Sequence, residues 1–214
     1  AYTFSPALII PDAFSGALDR AAGSNAGTYA FSIGTLTAGS NYNLSLSPEI
    51  FTINQATPVI TWADPAAIAA GTPLSGTQLN ASANVPGVFA YTPTFGHIFT
   101  LVGTEVLSTN FVPTDTLNYT NASDTANLQI VPAVIHHLEI DATPTSQTVG
   151  LPIAVTVTGY DQYNNLVTND STTRVYAHSG GYANLNSASK VLVAGVAGFT
   201  LNSLMAGDSL VDTF

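Results

Sequence analysis

From Thr57 to Pro93 the chain reads TPVITWADPAAIAAGTPLSGTQLNASANVPGVFAYTP, a stretch that leaves little choice of secondary structure. Val59-Ile60-Thr61 is a β-branched run ending on Trp62, the single tryptophan. Asp64-Pro65 then breaks the chain, because proline cannot donate to a ladder and biases the residue before it away from helix. Gly71-Thr72-Pro73 and Pro86-Gly87 punctuate the residues beyond that break, and Phe89 and Tyr91 alternate with Ala90 and Thr92. The expectation is strand, turn, strand, turn, with Trp62, Phe89 and Tyr91 serving one small core.

The same grammar runs along the rest of the chain. Tyr29-Ala-Phe31-Ser-Ile33 sets three large residues on one face, and Tyr42, Leu44 and Leu46 repeat the device. Leu138 and Ile140, then Ile153, Val155 and Val157, continue it at period two, and no segment shows a helical period. Tyr42 precedes Ile53 and Ala56 by the offsets at which Tyr119 precedes Ile130 and Ala133, and each tyrosine follows an asparagine. Leu204-Met-Ala206-Gly207 likewise echoes Leu36-Thr-Ala38-Gly39. Fixed-offset similarity is the mark of tandem modules, here 1–56, 57–133 and 134–214. The joints at Asn54–Pro58 and Val131–Ala133 carry no Gly or Ser run, so they are not flexible tethers. Tyr42 and Tyr119 are expected to tie a crossover to backbone, as in a tyrosine corner.

These motifs carry three resemblances. The pattern F-S-G-x-L-x-R, G-x-Y-x-F-x-I-G-x-L-x-A-G-x-N-Y and F-T-I in 1–56 resembles the MBG domain of bacterial adhesins, without that domain's first strands. T-P-x-I-T-W, P-A-x-I, G-T-x-L-S, Q-L-N-A and V-P-G-x-F-x-Y-x-P in 57–133 resemble a bacterial immunoglobulin-like repeat of large surface proteins. V-T-V-T-G-Y-D-x-Y-N-N-x-V-T in 134–214 is similar to the early strands of invasin-type immunoglobulin-like domains, and this module is expected to lack its last strand. The resemblances imply an all-β fold, tandem immunoglobulin-like β-sandwiches in an elongated rod. They also imply a bacterial extracellular or cell-surface setting.

Charge narrows the partners. Thirteen acids against Arg20, Arg174 and Lys190 give a net charge of −10, which excludes the clustered bases that nucleic-acid binding needs. Three basic residues also leave trypsin-like proteases little to cut. Charged residues make up only 7% of the chain, so solubility rests on Ser, Thr, Asn and backbone. No apolar window of about 18 residues is present, so no membrane insertion is expected. Ala1 opens inside a strand-like pattern, so any targeting segment is expected outside this stretch.

Residues that could carry chemistry are few. His137, Glu139 and Asp141 share a face of a strand and offer a divalent ion one imidazole and two carboxylates. The plainer reading is the solvated side of a first strand, opposite Leu138 and Ile140. Asp161, with Asn164 and Asn165, could offer oxygens to calcium, but the EF-hand spacing is missing and an Asx-type turn is preferred. No cofactor other than such a calcium ion is expected. Lys190, the one lysine, could serve at most one Lys–Asn isopeptide bond. No G-x-S-x-G elbow, cysteine or Gly-rich phosphate loop occurs, and His97 and His178 read as ordinary sheet residues. The catalytic residue list is empty and the chain is not expected to be an enzyme.

The function expected is that of a stalk or fibre segment whose partners are flanking repeats of one long polypeptide, and neighbouring copies where these form a fibre. One alternative is a glycan- or ligand-binding module using end loops such as Pro11–Gly27 or Gly180–Ser189, with Tyr182 as its exposed aromatic. Another is a subunit of a head-to-tail filament completed by strand exchange at Ala1–Ile10 or Ser209–Phe214.

Overall fold

The structure, a computed structural model, describes residues 8–143, 145, 146, 148, 150–176, 184, 185 and 189–202. His178, Tyr182, Leu204–Gly207, Ser209–Phe214 and the first seven residues lie outside the described residues. Every regular element among the described residues is a strand. In chain order they are β1 (Asp19–Arg20), β2 (Gly27–Ser32), β3 (Ile50–Ile53), β4 (Ile60–Thr61) and β5 (Ile68–Ala69). Next come β6 (Ser82–Ala83), β7 (Gly87–Thr92), β8 (Gly103–Pro113), β9 (Ala122–Val131) and β10 (His137–Thr143). The last are β11 (Ile153–Tyr160), β12 (Arg174–Tyr176), β13 (Asn184–Leu185), β14 (Ser189–Val191) and β15 (Val196–Asn202). The all-β, immunoglobulin-like expectation is borne out. No helix among the described residues is long and apolar enough to cross a membrane.

The chain divides into two compact units, to both of which β7, β8 and β9 contribute. The first comprises Ala1–Thr61, Ala81–Ala90 and Thr109–Asp124. Its antiparallel sheet has the order β1-β2-β3, with Tyr29 opposite Phe51 and Arg20 opposite Phe31. The alternation in β2 therefore gathers its large side chains on one face. Phe31 meets Phe51 edge-on at 6.3 Å. The Arg20 guanidinium lies 4.9 Å over Tyr29 and 5.2 Å over Phe51, a cation–π arrangement. The Tyr42 phenol oxygen accepts the Ile9 N–H at 2.6 Å, tying a crossover to backbone. Strand β4 pairs with β6, and Phe89 of β7 packs on Phe111 of β8 at 4.6 Å.

The second unit comprises Trp62–Asn80, Tyr91–Ser108 and Thr125–Phe214. Its first sheet has the order β5-β9-β8-β7, in which the short β5 runs parallel to β9. Burial follows period two: Ala126, Leu128 and Ile130 of β9 are buried while Asn127 and Gln129 face water. The Trp62 indole N–H donates to the Gln78 carbonyl at 3.0 Å, and its ring meets Tyr91 edge-on at 5.4 Å.

In the same unit β10-β11-β15-β13 form a second sheet and β12-β14 a small ladder. Val157, Leu192, Ala197 and Phe199 make the core between them, with Ile135, Val155 and Val175 packed against it. Leu138 and Ile140 depart from expectation, being 43% and 44% exposed. They sit on β10, which is the sheet edge, and the apolar contact to the core comes instead from Ile135, just before the strand.

Candidate functional site

Among the described residues the sites of interest are two Asp-led turns, one facing the connection from β9 to β10 and the other the connection from β3 to β4. In the second unit the chain leaves β9 at Val131 and enters β10 at His137. Facing this short connection is the turn Tyr160–Asn165, whose Asp and Asn residues bind their own backbone readily and tolerate left-handed geometry. Asn164 adopts it, with φ of 64°. The Asp161 carboxylate, fully buried, turns the chain by accepting the N–H groups of Tyr163 and Asn165, both at 2.9 Å. Its second oxygen accepts the N–H of Ala133, in the connection, at 3.1 Å.

Asn165 completes the arrangement. Its side-chain N–H group donates to both Asp161 oxygens, at 3.2 and 3.0 Å, and to the Thr100 carbonyl at 2.7 Å. Its side-chain oxygen accepts the Val102 N–H at 3.3 Å, so one amide spans from the turn to the loop before β8. Tyr163 fills the neighbouring space against Gly71: a Cβ there would lie 2.5 Å from the Tyr163 hydroxyl, and Gly71 has φ of +87°. Burial by itself would push the Asp161 carboxyl up. The Asn165 side chain and the N–H groups of Asn165, Ala133 and Tyr163 outweigh it and hold the group below the usual carboxylate range.

The first unit contains a counterpart where β3 gives way to β4. The Asp115 carboxylate accepts the N–H groups of Leu117 and Asn118, at 3.2 and 3.1 Å, and the Asn118 side-chain N–H at 2.7 Å. These bonds, led by the Asn118 side chain, hold the Asp115 carboxyl below its ordinary value. Asn118 then reaches away from its turn, accepting the Ala26 N–H at 2.8 Å on its side-chain oxygen. Ala56 is bracketed by backbone bonds: its N–H donates to the Asn118 carbonyl and its carbonyl accepts the Thr120 N–H, both at 2.9 Å. Gln55 adds side-chain bonds to the Thr116 and Leu117 carbonyls.

The residues singled out in sequence take separate places in the fold. His137 stacks on Tyr160 at 5.6 Å, its cross-strand partner, while Glu139 and Asp141 stand opposite Thr158 and Thr156. Among the described residues no three His, Cys, Asp or Glu side chains gather as a metal would require. Asn164 lends its backbone conformation to the turn, and the Asp161 oxygens face N–H donors, the wrong sign for a cation. The Lys190 ammonium donates to the Gly198 carbonyl and lies over the Phe199 ring at 5.6 Å. Sequence reasoning missed Asp115, met Asn118 only as the residue before Tyr119, and missed the outward reach of Asn165. The signal available was an Asp followed by an Asn three or four residues later, D-T-L-N and D-Q-Y-N-N.

Residues 1–52 match the family described as the MBG domain (YGX type), so the resemblance read from that part of the chain is borne out there. Among solved structures the chain is similar to FdeC, an Escherichia coli adhesin described as broadly conserved and as eliciting protection against urinary tract infections. The identity is 16% and the TM-score 0.33, over 84% of this chain and 66% of that one. No curated protein matches the chain.

Proposed function

We propose that the chain is a structural repeat segment, a stalk or fibre, of a bacterial extracellular surface protein of the adhesin type. The observation that carries this reading is the closure of the two connections, around Ala56 and Ala133, where the sequence is expected to pass from one module to the next. At each, Ala56 or Ala133 donates its N–H to an Asp-led turn later in the chain. An asparagine of that turn reaches back to earlier backbone, at Ala26 or at Thr100 and Val102. A segment that spaces its neighbours apart needs such joints, whereas a chain of independent binding modules works as well on loose tethers. The MBG-type match over residues 1–52 supports the surface setting. On this reading the partners are flanking repeats, and the role asks for no reaction.

Small-angle scattering on the segment tests it. Three modules in line, each roughly 35 Å long, give a radius of gyration of about 30 Å. A compact chain of this length would give about 17 Å. The larger value is expected, and a globular profile would refute the stalk.

A further inference from the structure

We infer that Asp161 and Asn165 form a latch that holds the second joint in one geometry without a metal ion, and that Asp115 and Asn118 repeat it at the first joint. Both carboxylates are met by N–H groups. Asp161 takes them from Ala133, Tyr163 and both nitrogens of Asn165, and Asp115 from Leu117 and both nitrogens of Asn118. A divalent ion would need those same lone pairs, so the asparagine side chain stands where a cation would otherwise draw the two segments together. In each joint one amide atom of that side chain grips its own turn and the amide also grips distant backbone. The separations are 92 residues for Asn118 to Ala26, and 65 for Asn165 to Thr100. The joints differ in how the terminal alanine is caught: Ala133 donates to the carboxylate itself, and Ala56 to the Asn118 carbonyl.

A latch made of side chains outside the hydrophobic cores has a specific consequence. Removing the asparagine frees the joint while the sheets on either side remain folded. The inference does not depend on the stalk reading, since a compact scattering profile with both latches closed would refute the stalk alone.

Amide hydrogen exchange on the whole chain in the presence of a chelator reads the latch directly. Asn165→Ala is expected to speed exchange at Val102 and Ala133 by roughly tenfold or more, with Leu107 and Val157 changed by less than about twofold. If that variant fails to fold, Asn118→Ala carries the same test, read at Ala26 against the same two core amides. In the unaltered chain, adding calcium in excess of the chelator is expected to leave these rates unchanged. Equal acceleration at every amide, none at the joint, or a change at the joint on adding calcium overturns the inference.

Discussion

Trp62 combines two demands that only a specific pocket meets, a large apolar surface to cover and an N–H to satisfy. The fold meets both, through the Gln78 carbonyl and the edge-on Tyr91 ring, and leaves 8% of the residue exposed. Trp62→Ala is therefore expected to lose about 3–5 kcal/mol in denaturant unfolding, as buried aromatic truncations do. A loss below about 1 kcal/mol would mean that the ring packs little. This residue was legible in sequence because its role depends on local context, a β-branched strand ending on the one tryptophan. Asn118 and Asn165 were not. The Asp-to-Asn spacing speaks only for a turn, and which backbone 65 or 92 residues away receives the amide is settled by topology. Leu138 and Ile140 show the same limit, since their alternation is faithful to a strand but cannot tell an edge from an interior one.

At the scale of elements, the long alternating strands were the readable ones. Ile153, Val155 and Val157 fall in β11 as their period required, with Ile153 and Val157 buried. Less visible was the kinship of β2 and β7, GTYAFS and GVFAYT, each a glycine followed by alternating aromatics. The strands also hold all three basic residues of the chain. Arg20 of β1 donates to the Ala21 and Gly23 carbonyls beneath two aromatic rings. Arg174 of β12 donates to the Ser189 hydroxyl, and Lys190 of β14 to the Gly198 carbonyl. Trypsin must have an extended, accessible segment, so each site has to leave its ladder before cleavage. Native chain is expected to be cut at least about a hundredfold more slowly than chain in urea, a local opening cost of roughly 3 kcal/mol. Gel electrophoresis with mass spectrometry of the fragments would track this. Rapid native cleavage after Arg20 would show that β1 opens freely.

For the molecule as a whole, acid is the condition that sets its electrostatic terms against each other. Asp115, Asp161 and Asp170 all have carboxyls held below the ordinary value. For Asp170 the causes are the Thr173 hydroxyl first, then the N–H groups of Thr172 and Thr173 and the Thr172 hydroxyl, at the loop before β12. In the unfolded chain such carboxyls take up protons near about pH 3.9, and in the folded chain only below that. Between the two values the unfolded state binds more protons, so stability falls as pH falls. The contribution is complete above about pH 5 and is lost progressively below about pH 4. The net charge of −10 works the other way, because acid relieves self-repulsion. That repulsion is spread over the surface and is screened beyond about 8 Å at physiological salt, whereas the Asp bonds are direct contacts. The local terms should therefore win. Denaturant titrations at physiological ionic strength are expected to show a flat stability from pH 7 to 5 and a decline from pH 4 to 3. Asp161→Asn should start lower, having lost a buried charged acceptor, and decline less steeply because one of the three groups no longer titrates. A stability that rises on acidification from pH 5 to 3 would show that global repulsion outweighs the hydrogen-bonded carboxylates.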